Sequence, residues 1–110
     1  MLEWREYLTE LKQKISSIAA MNPDVVKGYG MISRAHPETP HLDAKTRELI
    51  SLAVAITAKC DGCIAVHTEA ARQHGATKEE IAEALGVAIA INAGAALVYS
   101  ARVMDAYDKL

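Results

Sequence analysis

Apolar residues recur at helical spacing along nearly the whole chain, and no segment alternates apolar and polar residues over the length of a strand. The first helical run extends from about Leu2 to Ala20 and has one apolar face. The residues expected to face inward on it are Trp4, Leu8, Leu11, Ile15 and Ile18. The pattern therefore predicts an all-α protein.

Punctuating residues separate this run from two further helices. Asn22 and Pro23 are typical of a helix start, with asparagine at the cap and proline at the first helical position. The second helix is expected to end before Pro37, in a loop rich in proline. Asp43 then suits the cap of a third helix, which should run from Ala44 to about Ala58.

The remaining half of the chain predicts three more helices. The fourth should begin near Cys60 or Asp61 and end at Gly75, a residue suited to the left-handed position after a helix. Thr77 and Glu80 form the pattern of a capping box that opens a fifth helix. A break or kink is expected at Asn92–Gly94, followed by a sixth helix. The chain thus predicts one domain, residues 1–110, built as a bundle of about six helices.

Composition and charge narrow the possible partners. The formal net charge is −2, so no basic surface indicates nucleic acid. The N-terminus has no basic region followed by an apolar run, which favours the cytoplasm. Residues 84–101 lack charge and could span a bilayer by length, but they are mainly small residues with Asn92 and Gly94 among them. We expect other subunits, rather than lipid, to cover this segment.

The candidate chemistry lies at Cys60 and Cys63, the two cysteines of the chain, with His67 one helical turn further on. On a helix these positions share one stripe. Two thiols and a base on one face suit dithiol redox chemistry, because the thiolate is the reacting form and a base helps to generate it.

Glu48 is expected to join this group. It lies on the otherwise apolar stripe of Leu52 and Ala55, where a carboxylate needs a partner. A short turn near Lys59 should make the third and fourth helices antiparallel, which places Glu48 level with His67. The sequence therefore predicts a small buried cluster of Glu48, Cys60, Cys63 and His67.

This cluster could reduce a peroxide through a sulfenic acid and then a disulfide, with a proton relayed through His67 and Glu48. Two arguments disagree on which thiol attacks first. Cys60 is nearer the helix N-terminus, whose dipole favours a thiolate, whereas Cys63 is nearer the histidine. The residues alone leave both assignments open.

The order of these residues resembles the AhpD-like alkylhydroperoxidases within the carboxymuconolactone decarboxylase family. The resemblance is carried by Glu48 and the motif Cys60-x-x-Cys63-x-x-x-His67, with the similar flanking segments 42–50 and 75–81, and it covers about residues 22 to 108. It implies an all-helical protomer that assembles into trimers or hexamers. Gly62 is a departure, since AhpD has a second histidine at that position.

The resemblance also implies roles for the four residues. Cys63 attacks the hydroperoxide, Cys60 resolves, His67 acts as base and Glu48 completes the proton relay. It implies an oxidoreductase without a metal or flavin cofactor of its own. Its partners would be a small hydroperoxide and an external dithiol, either a thioredoxin-like or a lipoyl-bearing protein.

Other interpretations of the same residues remain open. The cysteines could simply pack in the core, or could bind zinc together with His67 and His74. A lyase acting on a small lactone or carboxylic acid would need a cationic anchor, for which Arg34 and Arg47 are the candidates. A redox-sensing oligomer without catalytic activity is a third alternative.

Overall fold

The computed structural model describes residues 1–110 and contains five α-helices and no strand, which confirms the all-α prediction. The helices are α1 (Trp4–Met21), α2 (Pro23–Arg34), α3 (Ala44–Ala58), α4 (Asp61–Gln73) and α5 (Lys78–Lys109). The chain divides into two compact units, Met1–Asp43 and Ala44–Leu110, which are described separately.

The first unit is a pair of helices that pack against each other, α1 and α2. Pro23 is the first residue of α2, as predicted, although the side chain of Asn22 makes no capping hydrogen bond. No residue of either helix is buried, and Ile15 and Ile18 of the predicted inward face are exposed. The other residues of that face are half-buried, namely Trp4, Leu8 and Leu11. The inward face predicted for α1 is therefore only partly covered.

The second unit packs α3 against both α4 and α5 around a core of small side chains. The buried hydrophobic residues are Leu52, Ala55, Ala65, Ala71 and Ala88. Alanines at these positions let the helix backbones approach closely, but each buries little area. The stripe predicted for α3 is confirmed, since Leu52 and Ala55 are both buried. Glu48 lies one turn before them on the same stripe.

The turn between α3 and α4 holds Cys60 from both sides. Lys59 adopts the left-handed conformation, with φ 54°, directly after α3. Its N–H donates to the carbonyl of Ile56, and the N–H of Cys60 donates to that of Ala55, which is the Schellman pattern at a helix end. Cys60 is also the residue that caps α4. Two helix ends therefore fix its backbone.

The turn between α4 and α5 uses the residues that the sequence indicated. Gly75 has φ 83°, and the N–H groups of Gly75 and Ala76 close a second Schellman pattern on α4. Thr77 and Glu80 form the predicted capping box, with each side chain accepting a hydrogen bond from the backbone N–H of the other. Glu80 also pairs with Lys45 of α3 at 2.8 Å, which ties the start of α5 to the hairpin.

The two left-handed positions predict opposite effects of substitution. Lys59→Gly should raise the free energy of unfolding by roughly 0.5–1 kcal/mol, because glycine adopts φ > 0 without a steric cost. Gly75→Ala should lower it by about 1 kcal/mol through the backbone alone, since a Cβ there meets no atom within 4 Å. Urea unfolding at one fixed protein concentration measures both. Lys59→Ala is the control, because it removes the same charge and keeps the strained φ. Equal stability of Lys59→Gly and Lys59→Ala would contradict the prediction.

The predicted break at Asn92–Gly94 is wrong, because α5 continues unbroken from Lys78 to Lys109. The amide of Asn92 donates at 2.8 Å to the carbonyl of Ala88, one turn earlier, and at 2.8 Å to Thr57 Oγ1 of α3. The polar side chain thus serves as a link between two helices rather than a helix end. The fifth and sixth predicted helices are one element.

The C-terminal half of α5 is exposed along its length. Every residue from Ile89 to Leu110 is exposed, and Leu97 and Val98 keep 76% and 75% of their surface accessible. By length and composition alone α5 is also long and apolar enough to cross a membrane. An exposed apolar surface of this kind marks a site of interaction.

Candidate functional site

The site is built on the α3–α4 hairpin, and its centre is a contact between Glu48 and His67. Glu48 Oε2 lies 2.7 Å from His67 Nδ1. The two side chains are 19% and 28% exposed respectively, so the pair is partly shielded from water. The antiparallel hairpin that the sequence predicted places them at the same height, and this expected contact is present.

The contact determines which nitrogen of His67 can act as a base. A carboxylate accepts hydrogen bonds, so the imidazole donates from Nδ1. In the neutral ring the free lone pair then belongs to Nε2. No hydrogen bond within the chain occupies Nε2. A carboxylate at this distance fixes the orientation of the ring, as an orienting carboxylate does in a catalytic dyad.

The cysteines form a second pair around the first turn of α4. Both are free and half-buried. Cys60 is the N-cap residue, and its Sγ accepts a hydrogen bond from the backbone N–H of Cys63 at 3.2 Å. A sulfur at this position takes the place of the side-chain oxygen that usually caps a helix. Cys63 lies inside the first turn, on the stripe that leads to His67.

This arrangement separates the acidities of the two thiols. A hydrogen bond from the Cys63 thiol lowers the pKa of Cys60, and the backbone N–H of Cys63 lowers it further. Burial and the nearby charge of Asp61 oppose that shift. The same hydrogen bond raises the pKa of Cys63, and burial adds to the rise. In the reduced pair the pKa of Cys60 therefore lies below that of Cys63.

All four predicted residues belong to the hairpin, where they form two pairs rather than one continuous hydrogen-bonded cluster. No hydrogen bond joins His67 to either cysteine, and none of the four side chains is fully buried. Cys63 and His67 nevertheless lie one turn apart on the same stripe of α4. A proton can pass between them through a water molecule or through a bound substrate.

The other candidate residues lie elsewhere. His74 is exposed and forms the C-cap of α4, while His36 is exposed and donates from Nδ1 to the carbonyl of Pro37. No three His, Cys, Asp or Glu side chains are grouped so that they could hold a metal ion. The zinc interpretation, in which Cys60, Cys63 and His67 offer three ligands and His74 continues the stripe, thus finds no ligand set within this chain.

The sequence alone leaves open whether Cys60 is the cap of α4 or its first residue. The helix start was expected at Cys60 or at Asp61, and these two boundaries differ in chemistry. A helix that begins at Asp61 makes Cys60 the cap and directs the N–H of Cys63 to its sulfur. The left-handed Lys59 was the missing signal, because it sets the end of α3 and hence the start of α4.

Comparison with known proteins identifies the family to which the chain belongs. The sequence profile of the carboxymuconolactone decarboxylase family matches residues 23–106. The chain belongs to this family. The matched region contains Glu48, both cysteines and His67.

Particular proteins are similar to this chain over nearly its whole length. A crystal structure of an apo carboxymuconolactone decarboxylase family protein from Legionella pneumophila has a TM-score of 0.76 and 28% identity, covering 97% of this chain and 96% of the other. An uncharacterized protein of Haemophilus influenzae is 44% identical over 106 residues, which is 96% of this chain and 94% of the relative. Another, from Cupriavidus necator, is 29% identical over 94% of this chain and 91% of its own length.

Proposed function

We propose that the protein is a thiol-dependent peroxidase and disulfide oxidoreductase that reduces small hydroperoxides through the pair Cys60 and Cys63. The observation that carries the proposal is the Glu48–His67 dyad at 2.7 Å, placed one helical turn from the free thiol of Cys63, with the free Cys60 at the cap of the same helix. A base that is oriented by a carboxylate and is close to a thiol is the arrangement that activates a cysteine nucleophile.

The proposed reaction begins at Cys63, which the family resemblance assigns as the attacking residue. His67 Nε2 takes the thiol proton of Cys63, and Glu48 stabilises the resulting imidazolium. The Cys63 thiolate attacks the terminal oxygen of the hydroperoxide, so that an S–O bond forms and the O–O bond breaks. The alkoxide leaves with the proton from His67 as an alcohol. Cys63 is then a sulfenic acid.

The second step uses the thiolate of Cys60. It attacks the sulfur of the Cys63 sulfenic acid, a disulfide forms, and hydroxide leaves as water after taking a proton from solvent. The lowered pKa of Cys60 suits this role, because it favours the thiolate that attacks. An external dithiol, of the thioredoxin-like or lipoyl-bearing type, then reduces the disulfide. No flavin or metal takes part in these steps, and we place the reaction in the cytoplasm.

Peroxide consumption coupled to an external dithiol tests the proposal. Reduced protein should consume one equivalent of an organic hydroperoxide per site and lose both free thiols as the disulfide forms, with continued turnover when dithiothreitol or dihydrolipoamide is supplied. Hydroperoxide consumption no faster than that of the dithiol alone would contradict it. Turnover of a lactone or carboxylic acid that survives blocking of both thiols would favour the lyase alternative.

We also propose that the protein is a homo-oligomer, a trimer or a hexamer, in which neighbouring copies cover α5. The exposed residues of its C-terminal half that carry the argument are Leu97, Val98, Val103, Met104 and Tyr107. Covering apolar surface of this kind contributes about 25 cal/mol for each Å² removed from water. Asn92 and the many small residues of α5 suit close contact with protein rather than with hydrocarbon.

A single substitution in the exposed half of α5 tests the assembly. Leu97→Lys should shift the mass measured by light scattering towards that of the protomer, because a charge in an apolar interface must be desolvated. Gln73→Lys, at an exposed polar position on α4, adds the same charge and should leave the mass unchanged. A wild-type protein that is monomeric at all concentrations, or that sediments with lipid vesicles, would contradict the proposal.

A further inference from the structure

We infer that an external dithiol opens the Cys60–Cys63 disulfide by attacking Cys63 Sγ, and that Cys60 leaves as the thiolate held at the N-terminus of α4. This inference rests on the proposed redox function and extends it to the reductive half of the cycle. Its substrate is a dithiol, which first becomes bonded to Cys63. The reductant and the hydroperoxide then meet the same sulfur.

The first support is the placement of the two sulfurs at the N-terminal end of α4. Cys60 Sγ accepts the backbone N–H of Cys63 at 3.2 Å, so negative charge that develops on this sulfur is stabilised by a donor already in place. Cys63 lies within the first turn, and the hydrogen bond to Cys60 and burial raise its pKa more than its own backbone N–H lowers it. In disulfide exchange the thiol that is more acidic leaves faster. The pKa of Cys60 is lowered and that of Cys63 is raised, which agrees with this order.

The second support is the direction from which a thiol must approach. The entering sulfur, the attacked sulfur and the leaving sulfur lie in line in disulfide exchange. Because Cys60 precedes α4 as its cap, and Cys63 and His67 lie one turn apart on one face of the helix, the side of Cys63 away from Cys60 is the side towards His67. The imidazole of His67 is therefore on the side from which the entering thiol arrives.

The reduction proceeds by two successive thiol–disulfide exchanges. His67 Nε2 takes the proton of the first reductant thiol, whose sulfur bonds to Cys63 Sγ while the Cys60–Cys63 bond breaks with its electron pair on Cys60. The second thiol of the reductant loses its proton to solvent and attacks the first reductant sulfur. Cys63 leaves and recovers a proton from His67. The dithiol is oxidised to a disulfide by two electrons, and the protein regains its reduced pair.

Mapping the mixed disulfide tests this order directly. The protein is oxidised with diamide, mixed briefly with glutathione, and quenched in acid with N-ethylmaleimide. Cleavage on the N-terminal side of Asp61 separates the two cysteines, so mass spectrometry assigns each adduct. Glutathione should be found on Cys63 at least about ten-fold more than on Cys60, with maleimide on Cys60. Equal labelling, or an excess on Cys60, would overturn the inference.

A charge variant gives a second readout that does not depend on trapping an adduct. The charge of Asp61 raises the pKa of Cys60, so Asp61→Asn should make Cys60 a better leaving group and speed the opening of the disulfide about two-fold. Glu69→Gln removes the same charge from an exposed position of α4 and should leave the rate unchanged. An unchanged or slower rate in Asp61→Asn would overturn the assignment.

The two proposals can fail separately. Diamide forms the disulfide without a hydroperoxide, so glutathione on Cys63 in a protein that consumes no peroxide would keep the leaving-group assignment and reject the peroxidase. Peroxide turnover together with glutathione on Cys60 would keep the peroxidase and reject the leaving-group assignment. If diamide produces no Cys60–Cys63 disulfide, the inference is wrong.

Discussion

Cys63→Ser is expected to lower the rate of hydroperoxide reduction by at least about three orders of magnitude, because a serine hydroxyl is hardly ionised at neutral pH and forms no sulfenic acid. The backbone N–H that caps α4 is retained in this variant, so the fold should be unaffected. Stopped-flow consumption of an organic hydroperoxide measures the loss. Circular dichroism and thermal unfolding of the same preparation show that the helices are intact.

Cys60→Ser is the matched variant, and its expected behaviour differs in kind. Serine is a good N-cap residue, so α4 should remain capped. The first reaction with peroxide should still occur at Cys63, in one equivalent per site, and then stall as a sulfenic acid that dimedone traps. Full turnover in both variants would reject the redox proposal. A stall in Cys63→Ser together with loss of the first step in Cys60→Ser would exchange the two roles.

His67→Ala is expected to slow the first step about a hundred-fold at neutral pH, since a positioned base typically contributes a factor of this order or more. The deficit should shrink as the pH rises, because the pKa of Cys63 is raised and its thiolate forms without help only in alkaline solution. A loss that is the same at every pH would contradict the assignment of His67 as the base of Cys63.

Glu48→Gln should share this pH dependence with a smaller effect, about ten-fold at neutral pH. The amide can still hydrogen-bond His67 Nδ1, but it does not carry the charge that stabilises the imidazolium. Glu69→Gln, on the exposed face of α4, removes one carboxylate charge without touching the dyad and should retain the wild-type rate. The pH profile of the rate in the Glu48 variant distinguishes a positioning role from a purely structural one. A purely structural role would lower stability at all pH values alike.

The local part of this fold was predictable because its signals are contained in short segments. Helical spacing of apolar residues, the Pro23 start, Gly75 and the Thr77–Glu80 capping box all act within a turn or two of chain. The contact of Glu48 with His67 also followed from such signals. A very short connection makes two helices antiparallel, and residues equally distant from the turn then meet.

Two features required contacts that no local pattern encodes. Asn92 and Gly94 resemble a helix end by themselves, yet the amide of Asn92 bonds to Thr57 Oγ1 on another helix, and α5 continues through it. The inward face predicted for α1 has the correct spacing, but its C-terminal part, Ile15 and Ile18, remains exposed. An amphipathic pattern indicates that a face needs a partner, and it does not say whether the partner is in the same chain.

The sequence by itself determined the residue types, the helical spacing of Cys60, Cys63 and His67, and the hairpin that brings Glu48 to His67. Only the tertiary structure decided which of the two thiols has the lower pKa. That choice depends on a shift of one residue in where α4 begins, which the left-handed Lys59 sets by ending α3. Because one residue of register decides which sulfur receives the N–H of Cys63, the chemistry of the pair is a property of the folded turn.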